Sequence, residues 1–166
     1  MRFETERDMS LRFKHFIFSH FNDPSIGVFE QFKGLFGVPD YLLVERDIDS
    51  ISTIISFELK LENWKRALKQ AFKYRSFSNA CFVVVDGAFL NRALDNIDQF
   101  IHFNIGLASF NTENELKIYF NPKHSEPFSQ FFLKKIYEVV ETNADSKSET
   151  RDEKLSRILS TFTTQA

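Results

Sequence analysis

The run from residue 51 to residue 86 constrains this chain more than any other. "ISTIISFELK" is β-rich and mostly apolar, "NWKRALKQAFKY" sets Trp64, Ala67, Leu68, Ala71 and Phe72 in one helical stripe, and "ACFVVVD" is apolar without interruption. The succession reads as a strand, an amphipathic helix and a strand buried on both faces. Asn63 stands where the helix needs an N-cap. Two strands joined through a helix take a right-handed crossover and lie parallel, so the segment predicts an α/β sheet containing a parallel pair.

The flanks extend that sheet. "IGVFEQFKG", "VPDYLLVERD" and "STIISFELKL" are β-rich runs separated by "LFG" and the polar turn "DIDS", which predicts an antiparallel three-strand meander. Ahead of it, Met9, Phe13, Phe16 and Ile17 fall at helical spacing over residues 4 to about 20, with acids in the first turn and "NDPS" at the end. Beyond residue 86 the pattern predicts a helix within 88 to 101, a hairpin of "IGLASF" and "ELKIYF" around "NTEN", and a helix over about 126 to 141. The composition then turns polar, and "EKLSRILSTF" can form a short amphipathic helix. The expected organisation is one domain over residues 1–142, then a polar linker and short C-terminal helix over 143–166.

Composition narrows the function classes. With 21 Phe against 5 Gly and 4 Pro, the core is expected to be filled by aromatic rings and the loops to be short. A net charge of -2 and a pI of about 6.1 exclude a globally basic surface of the kind that coats nucleic acid without specificity, while leaving room for a local basic groove. Cys81 is the single cysteine and lies within the apolar strand, which fits a reducing compartment. The N-terminus "MRFETERDMS" is acidic and polar, and no run approaches the ~18 apolar residues of a membrane span. A cytoplasmic protein without membrane contact is the expectation. The phosphate-loop and dinucleotide glycine patterns are absent, and His15, His20, His102 and His124 lack metal-ligand spacing.

Against this background the charges of "SFELK" stand out, because a buried charge costs several kcal/mol unless it is paired, hydrogen-bonded or bound to metal. A hairpin centred on Asp49 puts Asp40 and Glu58 nine residues to either side of its tip, opposite each other across the ladder. Opposed side chains have Cβ atoms roughly 4.5 to 5.5 Å apart, so two carboxylates there repel unless a positive group lies between them. Lys60 projects from the same strand face as Glu58. Hard carboxylate oxygens of this kind suit Mg²⁺ or Mn²⁺, which complete their shells with water and substrate phosphate. On the following helix Arg66, Gln70 and Tyr74 form an i, i+4, i+8 row distinct from the apolar stripe. Lys65, Lys69 and Lys73 form a further row, read as a solvated face rather than a phosphate track.

"GVPDYLLVE" followed by "ISFELKL" resembles the signature of the PD-(D/E)xK nuclease superfamily, with Pro39-Asp40 and Glu58-x-Lys60, and Gln70-x-x-x-Tyr74 resembles the QxxxY motif of its RecB-like branch. The likeness spans roughly residues 4 to 120. It implies a restriction-endonuclease-like α/β core with a mixed central sheet flanked by helices, and a Mg²⁺-dependent nuclease (Mn²⁺ substituting) that hydrolyses phosphodiester bonds in DNA. By that resemblance Asp40 and Glu58 bind the metal with the carbonyl of Leu59, Lys60 is the catalytic lysine, and Arg66, Gln70 and Tyr74 lie toward the substrate. An acid from the first helix, Glu4 or Glu6, or Glu30 on the first strand, is a further candidate ligand. The rival reading keeps the fold without the catalysis, as a nucleic-acid-binding or assembly subunit. Small size and near-neutral charge point to a homodimer or a partner subunit for substrate grip.

Overall fold

A computed structural model describes residues 1–48 and 50–141. The expected linker and C-terminal helix lie outside the described residues, as does Asp49, the expected hairpin centre. Helix α1 (Glu6–His20) leads into strands β1 (Ile26–Glu30), β2 (Tyr41–Arg46) and β3 (Ile51–Lys60). Helix α2 (Trp64–Tyr74) connects to β4 (Ala80–Asp86). A 3-10 turn (Gly87–Phe89) and helices α3 (Leu90–Leu94) and α4 (Ile97–Phe103) lead to β5 (Gly106–Phe110), β6 (Leu116–Phe120) and α5 (Gln130–Glu141).

The six strands lie in sequence order in one mixed sheet. β1, β2 and β3 form the antiparallel meander, β3, β4 and β5 run parallel, and β6 returns antiparallel to β5. The fold is thus α/β, with helices flanking a mixed sheet. Two differences from the sequence reading have local causes. The helix expected within 88 to 101 is split in two: α3 ends at Leu94, and α4 begins after Asn96, whose backbone leaves the helical region (φ -122°, ψ 24°). The helix expected from 126 begins at Gln130, because Pro127 disfavours helical backbone at the residue before it and Ser129 accepts the Phe132 N–H at 3.4 Å as a cap.

Strand alternation gives the sheet two different faces. One is covered by α1, whose N-cap Thr5 accepts from the Asp8 N–H and whose buried residues are Met9, Phe13, Phe16 and Ile17. They pack on Tyr41, Leu43, Phe57, Phe82, Val84 and Phe110. Phe13 sits at the centre, with ring centroids 5.3 to 5.6 Å from Tyr41, Phe57 and Phe110. Gly106 lies opposite Phe82 in the β4–β5 register, and a Cβ there would fall 2.3 Å from that ring. The other face meets α2, α4 and α5, where Trp64, Ala67, Leu68, Ala71, Phe100, Ile136 and Val140 cover Leu42, Val44, Ile54, Val83 and Val85. Among the described residues no helix is long and apolar enough to cross a membrane.

Candidate functional site

On β3 the alternation puts Phe57 and Leu59 on the α1 side, so Ser56, Glu58 and Lys60 point to the α2 side. The β2–β3 pairing begins at Tyr41 with Phe57, and the same register, continued outward, sets Asp40 opposite Glu58 and Pro39 opposite Leu59. Pro39 has no N–H to offer the ladder, and the pairing ends there. Asp40 takes over: its Oδ2 accepts the Leu59 N–H at 2.7 Å. The chain reaches Asp40 through Gly37, whose φ of +93° and close approach to the Tyr74 ring (2.8 Å from a Cβ built there) leave no room for a side chain.

Glu58 is 2% exposed. Its Oε1 lies 3.4 Å from the Lys60 ammonium, which also reaches Glu6 Oε2 at 3.3 Å. Its Oε2 lies 2.7 Å from the Tyr74 hydroxyl, and that hydroxyl is 3.0 Å from the carbonyl oxygen of Val38. One phenolic hydrogen therefore faces two acceptors. Protonation of Glu58 relieves the shortage, since the carboxyl then donates to the Tyr74 oxygen and Tyr74 donates to Val38.

The electrostatics point the same way. Burial first, then the neighbouring Asp40 charge, push the Glu58 carboxyl up to about 7, against the opposing pull of Tyr74 and Lys60. Burial also raises Asp40, offset in part by the Leu59 N–H and Lys60. Burial alone would lower the Lys60 ammonium, but Glu58, Glu6 and Asp40 together hold it above its ordinary value. Tyr74 is raised by burial and by the charge of Glu58. The site thus holds two acids whose charged forms are disfavoured and one firmly charged lysine.

The structure brings Asp40, Glu58, Leu59, Lys60 and Tyr74 together. Of the acids that spacing left open, Glu6, at the start of α1, pairs with Lys60, whereas Glu30 pairs with Lys14 at 2.6 Å. Glu4 makes no ion pair among the described residues. Tyr74 is 1% exposed, so it braces Glu58 from behind rather than facing solvent. Gln70 is half-buried, and its Oε1 is buried without a hydrogen-bond partner. Arg66 is exposed on the outer surface of α2. Sequence reasoning missed the Val38 carbonyl, a backbone group that no residue type announces.

Asp40 and Glu58 are hard oxygen donors, and Pro39 leaves the Leu59 carbonyl without a ladder donor from its own position. Among the described residues no group of three or more His, Cys, Asp or Glu side chains converges as a metal cage. A divalent ion held by the two carboxylates would complete its shell with backbone carbonyl, water and substrate oxygens, as Mg²⁺ commonly does. The donor set fits such an ion, and two carboxylates carrying raised pKa values are groups that a cation would return to their charged state. No family model matches the chain, and neither the curated proteins nor the solved structures contain a match.

Proposed function

We propose that the protein is a divalent-metal-dependent nuclease that hydrolyses phosphodiester bonds in DNA on a restriction-endonuclease-like core. One observation carries the reading: Asp40, immediately before β2, lies in register across from Glu58 on β3, with Lys60 beside Glu58, in a part-buried cluster whose charges are only partly compensated. Asp40, Glu58 and the Leu59 carbonyl would hold Mg²⁺ or Mn²⁺. When bound there, the ion polarises a phosphoryl oxygen and lowers the pKa of a coordinated water. Tyr74 fixes the orientation of Glu58, and Glu6 steadies the Lys60 ammonium. Lys60 orients the attacking water or stabilises the charge that builds on the phosphorus oxygens. Gln70, with its buried unpartnered amide oxygen, and Arg66 would contact the substrate strand. A homodimer or a partner subunit would enlarge the grip on DNA.

The noncatalytic alternative draws on a different observation. Glu58, Lys60, Tyr74 and Glu6 already bond to one another, as the members of a purely structural polar cluster would. Cleavage separates the two readings. Wild type should cut single- or double-stranded DNA when Mg²⁺ or Mn²⁺ is supplied, and Asp40→Asn should abolish cutting while leaving the melting temperature equal or higher, because it removes repulsion together with a ligand. Marked destabilisation by Asp40→Asn, with no cleavage by wild type, favours the structural cluster.

A further inference from the structure

The lysine row on α2, expected to be no more than a solvated face, borders a groove of about 420 Å³ between α2 and α4. Leu68 forms its floor, and the rings of Phe72 and Phe103 meet edge to face at 5.4 Å, remaining 43% and 36% exposed. Lys65, Lys69 and Lys73 line one side, and Gln99 offers an amide, both donor and acceptor, on the other. None of these three lysines has a carboxylate within 4.0 Å among the described residues. Like charges at i, i+4, i+8 repel, so the row costs the helix stability and, in a chain of net charge -2, makes a local field opposite to that of the whole.

We propose that this groove takes a single-stranded nucleic-acid segment, one base lodging against Phe72 and Phe103 while the flanking phosphates lie on the lysines. The proposal rests on the nuclease reading for the class of anion. A concave slot walled by aromatic rings suits an unstacked base, whereas a duplex keeps its base faces covered. Two rings bordered by a row of lysines in a concave groove suit an inserted base better than a membrane surface, which is met by a broad apolar face that protrudes. One end of the lysine row also touches the loop that precedes the site. The Lys73 ammonium lies 5.4 Å over the Phe36 ring, in the loop that carries Val38 and Asp40, and the next residue, Tyr74, holds Glu58.

The test is fluorescence anisotropy of the full chain with a labelled oligothymidylate of roughly 15 nucleotides and with a duplex of equal length, in EDTA and low salt. EDTA keeps the carboxylate site out of the measurement. The single strand should bind at least about tenfold more tightly than the duplex, Phe72→Ala should weaken it about tenfold, and Phe72→Tyr should restore it. Lys69→Glu with Lys73→Glu should weaken binding further and flatten its salt dependence. Lys69 is exposed, so the charge variants keep the test decisive even if Phe72→Ala fails to fold. The proposal is overturned if the single strand does not bind wild type, if the duplex binds as tightly, if the charge variants bind as wild type does, or if phosphatidylserine vesicles bind in place of the oligonucleotide. The nuclease reading fails separately, if wild type with Mn²⁺ does not hydrolyse bis(p-nitrophenyl) phosphate or DNA.

Discussion

The two faces of the sheet are built from the same strands and each carries an apolar core, but they differ in the polar groups they bury. Under α1, aromatic and aliphatic side chains interlock, with Phe13 beside four rings (Phe16, Tyr41, Phe57 and Phe110) and Gly106 cut back to admit Phe82. Under α2, the same β3 strand buries Ser56, Glu58 and most of Lys60, and beside them lie Ser78 and the Cys81 thiol, pushed up to about 12 by burial. Close-packed apolar groups gain from burial in proportion to area, whereas partly compensated charges lose by it. Both faces secure the fold with an apolar core, and the α1 face buries Asp86, whose Oδ2 accepts the Phe3 N–H at 2.8 Å. The α2 face differs in holding, at Glu58, a carboxyl whose partners compensate it only in part.

That contrast breaks first where packing is deepest. Phe13→Ala should cost about 3 to 5 kcal/mol in urea unfolding, since it removes a fully buried ring and leaves a cavity among four others. A loss below about 1 kcal/mol would mean that the aromatic layer around Phe13 is loosely packed.

The next effect has the opposite sign and belongs to the α2 face. The folded protein holds the Glu58 proton more tightly than the unfolded chain does, because its carboxyl rises from 4.5 to about 7 on folding. Its contribution is therefore complete below about pH 4.5 and is lost as pH climbs to about 7, a span of about 3 kcal/mol. Glu58→Gln, which stays neutral, should remove this slope in EDTA and be more stable than wild type near pH 8. An unchanged slope would show that Glu58 is ionised throughout.

A smaller effect sharpens the picture of the α1 face. Gly106→Ala should cost about 1 to 3 kcal/mol, because the Phe82 ring occupies the place of the new methyl group and must move within a full core. A neutral result would show that the aromatic layer has slack.

How much of this could be read from the sequence differs between register and tertiary contact. Counting from Asp49 put Asp40 opposite Glu58, and the observed ladder has that register from Tyr41 to Glu45, with a shift only at Arg46 near the tip. Alternation along β3 was equally legible, and so was most of the α2 stripe, because both follow from local periodicity; Phe72, expected in that stripe, is instead 43% exposed, and Tyr74 is buried with Trp64, Ala67, Leu68 and Ala71. The choice of Glu6 over Glu4 was not, since it depends on where α1 docks over the end of β3. Helical spacing put Tyr74 in a row with Gln70 and Arg66, but the side toward which that row turns at its C-terminal end is set by packing against Gly37 and Glu58. The apolar, aromatic character of the groove beside the lysines needed α4 in place, and Phe103 lies beyond the helix expected from the sequence.

The central claim is that Asp40 and Glu58 hold a divalent ion while Lys60 serves the reaction. Calorimetric Mn²⁺ titration of wild type, Glu58→Ala and Lys60→Ala, paired with DNA cleavage under the same low-salt conditions, tests it most directly. Lys60→Ala should bind Mn²⁺ within a few-fold of wild type, or more tightly for want of a nearby positive charge, while cleavage falls by roughly two or more orders of magnitude. Glu58→Ala should lose both together. Wild type that takes up no Mn²⁺, or Lys60→Ala that cleaves as wild type does, would contradict the account.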